Sequence, residues 1–87
     1  MNIEYDPVKA KSNETKHGIT FEEAATALLD ENALSMEDVD SKGENRWLLV
    51  GMSEEARLLT VIYTLRGESI RLISARKATR KEAQSYA

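Results

Sequence analysis

Three runs rich in aliphatic, β-branched and aromatic residues follow one another closely in the second half of the chain: RWLLVGM (46–52), RLLTVIYTL (57–65) and IRLISAR (70–76). Only the short polar segments SEEA and RGES separate them, so they read as an antiparallel β-meander. Gly67 supplies a residue tolerant of positive φ for the second turn; the first turn has no such signature. The simplest hairpin registers set Thr64 opposite Arg71, Tyr63 opposite Leu72 and Leu59 opposite Arg76, with Gly51 opposite Leu58 and Arg46 opposite Tyr63. On those registers one face carries Arg46, Val50, Leu59, Val61, Tyr63, Leu72, Ser74 and Arg76. The other carries Trp47, Leu49, Leu58, Ile62, Arg71 and Ile73. Arg46 and Arg76 then stand about 13 Å apart along the sheet at ~3.3 Å per residue.

Upstream, NIEYDP alternates apolar and polar residues and reads as an edge strand or extended lead-in. Asp6 as N-cap and Pro7 at the first helical position open a helix from residue 7 to about 16, mostly solvent-facing and ended by Gly18. Thr20 and Glu23 form a capping box for a second helix, stapled by Ile19, with Phe21, Ala24, Ala25 and Leu28 as its buried stripe. The acidic stretch 30–46 lacks periodicity and is expected to be a surface connection with at most one helical turn. Thr79 and Glu82 repeat the capping-box pattern and start a short C-terminal helix through Tyr86. The expected architecture is therefore α+β: one domain over residues 1–87, two N-terminal helices packed on an antiparallel meander of three to four strands, and a short terminal helix.

Hydrophobic residues make up 41% and charged residues 31% of the 87, an ordinary globular balance. There are no cysteines, which excludes disulfides, thiolate nucleophiles and cysteine-ligated zinc and fits a reducing compartment, the cytoplasm by default. No apolar run is long enough for a membrane span, and no signal-peptide core opens the chain. The net charge of -3 is unevenly spread: residues 1–56 hold 5 Lys/Arg against 13 Asp/Glu, residues 57–87 hold 7 against 2. A basic C-terminal third is the kind of local cation density that phosphate contacts require, although a solvated hairpin and helix would look the same.

The segments IEYDPVKAKSNETKHGITFEEAATAL, GENRWLLVG and LLTVIYTLRGESIRLISARKATRKE, with Tyr86 near the end, strongly resemble the BrnT family of bacterial type II toxin–antitoxin toxins. The resemblance implies a RelE/ParE-like α+β fold and a metal-independent endoribonuclease that inhibits translation. It also implies neutralisation by a BrnA-like ribbon-helix-helix antitoxin, with DNA reached only through that antitoxin. The chain departs from the family pattern at DEN after the second helix, at SEEA in the first hairpin turn, and in its acidic N-terminal part.

Cleaving RNA without a metal requires a base for the 2′-hydroxyl proton, cations to stabilise charge on phosphate, and an acid for the leaving 5′-oxygen. His17 suits either proton role, and equally suits a helix C-terminus as a dipole and carbonyl partner. Lys9 and Lys16, seven residues apart, share one helix face; Lys9 is a second candidate base and Lys16 a phosphate contact. Arg46, Arg71 and Arg76 offer planar forks for phosphate. Tyr63, Arg80 and Lys81 are candidate RNA contacts, Tyr63 doubling as a core residue. Glu44 reads as an arginine partner, Glu82 as a cap, and Tyr86 as a group that folds over the site or anchors the terminus. One histidine among scattered carboxylates makes no metal constellation, no phosphate-cradling glycine loop is present, and no cofactor is expected. The alternative reading is a non-enzymatic interaction protein: a degenerate toxin that binds its antitoxin, or a ParE-like inhibitor docking on a target enzyme. In either case the antitoxin should cover the basic surface of residues 57–87.

Overall fold

The computed structural model describes residues 2–38 and 45–86, which form eight elements. They are β1 (Asn2–Glu4), α1 (Pro7–His17), α2 (Phe21–Ala27), β2 (Leu34–Asp38), β3 (Arg46–Met52), β4 (Leu58–Arg66), β5 (Ser69–Lys77) and α3 (Arg80–Ser85). The sheet has five strands in the order β1-β5-β4-β3-β2, antiparallel except for β1, which runs parallel to β5. The expected three to four strands thus become five among the described residues. The addition is β2, inside the stretch expected to be a connection. Its LSMED sequence has no β-branched residue and mostly exposed side chains, so pairing with β3, not local propensity, makes it a strand.

Both N-terminal helices start as their sequences dictate. Asp6 accepts a hydrogen bond from the Val8 amide at 2.9 Å, Pro7 follows, and Gly18 closes α1 at φ 71°. Thr20 accepts from the Glu23 amide at 3.0 Å, but the expected capping box is only half made. The Glu23 carboxylate turns away to the Arg57 guanidinium and the Ser53 hydroxyl, 2.9 Å from Arg57 Nε and 2.7 Å from Ser53 Oγ. Arg57 first, and Ser53 after it, hold Glu23 below the usual carboxylate range. The complete box is at α3, where the Thr79 and Glu82 side chains cap each other's amides.

The core lies between α2 and the inner sheet face. Ile19, Phe21, Ala24 and Ala27 meet Leu49, Leu59, Val61, Tyr63, Ile70, Leu72 and Ala75, and Tyr5 closes on the Phe21 ring edge-to-face at 5.2 Å. Ala25 and Leu28, expected in the stripe, are only half-buried; the buried apolar positions of α2 are Phe21, Ala24 and Ala27. Gly51 permits this packing: a Cβ there would sit 2.6 Å from the Ala27 carbonyl oxygen. Among the described residues no helix is long and apolar enough to cross a membrane.

The β3–β4 turn holds Ala56 at φ 60°, the left-handed region that costs a Cβ-bearing residue about 1–2 kcal/mol. Replacing Ala56 by glycine removes that cost against a smaller loss of backbone entropy. The variant is expected to gain about 0.5–1 kcal/mol in denaturant unfolding. A destabilised variant would contradict the strain.

Candidate active site

Arg71 and Arg76 are five residues apart, and an odd separation in a regular strand would put them on opposite faces. A β-bulge prevents this. Leu72 pairs with Tyr63 and Ser74 with Ile62, leaving Ile73 without a partner on β4. The alternation restarts one residue late, so Arg71, Ser74 and Arg76 emerge on one face, opposite Thr64, Ile62 and Thr60. This is the outer face, away from α2. The expected β3–β4 register was one residue off: Arg46 lies opposite Thr64, not Tyr63, and Gly51 opposite Leu59. The bulge likewise sets Arg76 opposite Thr60. These shifts put all three arginines on one face, where the sequence registers had divided them between two.

Two rows of the outer face carry the arginines. Arg46, Thr64 and Arg71 stand side by side across β3, β4 and β5, extended by register to Asp38 on β2 and Glu4 on β1. Arg71 meets Glu4 at 3.5 Å, both partly exposed, and the Thr64 hydroxyl is turned to the Asn45 carbonyl at 2.6 Å. Arg46 Nε is buried and has no hydrogen-bond acceptor among the described residues. In the other row, Arg76 is held by both oxygens of Glu82, at 2.8 and 2.9 Å. Glu82 also accepts from Thr60 Oγ1 and the Thr79 amide, each at 2.8 Å. Arg76 above all draws the Glu82 carboxyl down to about 2. Glu82, expected only as a cap, is thus the partner of Arg76, whose fork is filled. Glu44, expected to pair an arginine, lies outside the described residues.

The α1 candidates gather at the outer edge of β5. Lys9, Lys16 and His17 line a hollow of about 170 Å³ with Ser12, Asn13, Ile73 and Ser74, and no carboxylate among the described residues lines it. His17 is exposed at the end of α1, on the last turn before Gly18. The bulge at Ile73 therefore serves both groups: it turns the arginines to one face and brings Ser74 into the hollow. A larger, more open hollow on the adjoining face of α1, lined by Pro7, Val8, Lys11, Ser12, Thr15 and Lys16, has neither histidine nor arginine among the described residues that line it.

Residues 5–82 match the family model described as the ribonuclease toxin, BrnT, of type II toxin–antitoxin systems. The chain belongs to the BrnT family. The 1.1 Å crystal structure of the Brucella abortus ribonuclease toxin BrnT is similar to it, with a TM-score of 0.71 and 26% identity over 92% of this chain and 99% of that one. No curated protein sequence matches the chain. Membership of the BrnT family makes this a chain of the ribonuclease toxins, and a type II system gives it an antitoxin as partner.

Against this BrnT frame the remaining candidates divide. Tyr63 does not reach the site: it faces the core, 8% exposed, with its hydroxyl 2.9 Å from Ser35 Oγ. It keeps its expected company of Leu59, Val61 and Leu72, and it is Arg46 and Arg76 that the observed register moves to the opposite face. Arg80 and Lys81 are exposed on α3, apart from the α1 hollow, with Lys81 beside Met36, Leu48 and Val50. Tyr86 anchors the terminus by donating to Asp30, which also accepts from the Met52 amide at 2.8 Å. Ser74 and Thr64 were missed. The signal for Ser74 is a broken alternation, since the buried residues of β5 run Ile70, Leu72, Ala75.

Proposed function

We propose that the protein cleaves RNA by metal-independent transesterification at the α1–β5 hollow. The observation that carries this reading is the convergence of Lys9, Lys16 and His17 on a cavity without a carboxylate, beside the arginines of the outer face. In the reaction one group takes the 2′-hydroxyl proton, O2′ attacks phosphorus, and a second group protonates the departing 5′-oxygen, leaving a 2′,3′-cyclic phosphate. Lys9 and His17 are the proton-transfer groups. Lys16 supplies fixed positive charge to the scissile phosphate, Arg46 and Arg71 supply it to the RNA backbone beside that phosphate, and Arg76 joins them only when its Glu82 pair opens. RNA contacts from Arg80 and Lys81 extend the surface. Within a RelE/ParE-like fold acting in the cytoplasm, such cleavage halts translation. A BrnA-like ribbon-helix-helix antitoxin neutralises it by covering this basic face, and DNA is met only through that antitoxin.

The test is RNA cleavage by purified protein in excess chelator, with His17→Ala and Lys9→Ala alongside and a thermal melt on each. Each substitution is expected to lower cleavage by about 10²-fold or more at an unchanged melting temperature, because both side chains are exposed. Full activity in both variants would move the chemistry elsewhere. An inactive wild type would support the interaction-only alternative.

A further inference from the structure

We propose that the outer sheet face is a track for single-stranded RNA, in which Arg46 and Arg71 grip a backbone phosphate adjoining the scissile one and Leu48 and Ile62 support the bases. The proposal rests on the α1–β5 hollow being the cleavage centre. Arg46 and Arg71 are two strands apart, about 10 Å between backbones at ~4.8 Å per strand. Two arginine side chains can close that span on one phosphate above Thr64, whose hydroxyl is engaged with Asn45. Arg46 brings a buried Nε with no acceptor among the described residues, a cost that a ligand oxygen would remove. Among the described residues Arg71 is held by a partly exposed pair with Glu4 at 3.5 Å, worth about 0–1 kcal/mol and open to exchange with a phosphate.

The neighbouring row gives the track its direction. Met36, Leu48, Ile62 and Ser74 are aligned across β2 to β5, about 7 Å from the arginine row at two residues' rise. Its β5 end, Ser74, opens into the hollow that holds Lys9 and His17. An apolar floor beside a cation row suits unstacked bases next to their phosphates. A duplex would hide its bases and gain nothing from that floor.

The experiment uses an uncleavable 2′-O-methyl RNA oligonucleotide, single-stranded and as a duplex, titrated by fluorescence anisotropy across a salt series. Cleavage kinetics on the unmodified strand and thermal melts accompany wild type, Arg46→Gln and Arg46→Lys. The single strand should bind more tightly than the duplex. Arg46→Gln should raise KM about tenfold with a much smaller fall in kcat, the loss of one charge-assisted contact. It should also flatten the slope of log K against log salt by about 0.7, one phosphate contact on a single strand. Arg46→Lys should keep the slope and lose part of the affinity. An Arg46→Gln protein with unchanged KM and slope, a fall in kcat alone, or preferred duplex binding would overturn the track while leaving a cleaving wild type as the ribonuclease. A wild type that neither binds nor cleaves RNA would remove both readings.

Discussion

Replacing Asn13 by alanine is expected to destabilise the protein by about 3–5 kcal/mol, more than any single apolar truncation on α1. The reason is the outer edge of β5. β1 covers this edge only along Ser69, Ile70 and Arg71, and past the bulge the backbone of Ala75 would be bare. Asn13, 6% exposed, takes the place of a strand there: its amide donates to the Ala75 carbonyl at 2.8 Å and its oxygen accepts from the Ala75 amide at 3.0 Å. The same amide donates to the Ile19 carbonyl at 2.9 Å, which fixes the α1–α2 turn. Alanine leaves three buried backbone groups unpaired at about 1–3 kcal/mol each, partly relieved by water. Asn13→Asp keeps the acceptor but sets a buried carboxylate oxygen against the Ile19 and Ala75 carbonyls, so at neutral pH it should cost at least as much as alanine. Urea unfolding checks both, and a cost below about 1 kcal/mol for alanine would mean that the edge is protected by other means.

Asn13 also shows where the sequence is opaque. Its helix has few apolar residues and reads as solvent-facing, yet it is tied to the sheet by one buried amide that no periodicity reveals. Local signals are readable because their partners lie within four residues: the Asp6 and Thr20 caps, the Gly18 terminus and the Thr79–Glu82 box stand where expected, and the three long strands are legible from residue type alone. Non-local features were not. β2 exists because β3 is beside it, the β3–β4 register slips by one, and the Ile73 bulge decides which face Arg71 shares with Arg76. The residue types of the candidate site were therefore legible, but their grouping was not. Lys9, Lys16 and His17 gather as one helix face allows, Tyr63 is lost to the core, and Arg76 is claimed by a residue that sequence spacing identifies only as a cap.

That claim leads to the second large effect. Glu82→Gln is expected to cost about 2–3 kcal/mol at neutral pH, since the carboxyl falls from an ordinary 4.5 to about 2 in the folded protein and its side chain is only 20% exposed. A carboxylate lowered in this way adds stability above its unfolded value, and that stability drains away as pH falls from about 4.5 toward 2. Wild type and variant should therefore differ most near neutrality and converge at the acid end. The variant's acid limb should be shallower but not flat, because Glu23 and Asp30 are also held below the usual range. Denaturant unfolding between pH 2 and 7 measures this, and parallel curves would show that the Arg76 pair adds no stability. Glutamine can still meet Thr60 and the Thr79 amide, so the loss is specific to the charge facing Arg76. The freed guanidinium then stands on the same face as Arg46 and Arg71. A gain in RNA affinity by Glu82→Gln, absent when Arg76→Gln is added, would show that the site holds Arg76 in reserve; no gain would leave Arg76 to the fold alone.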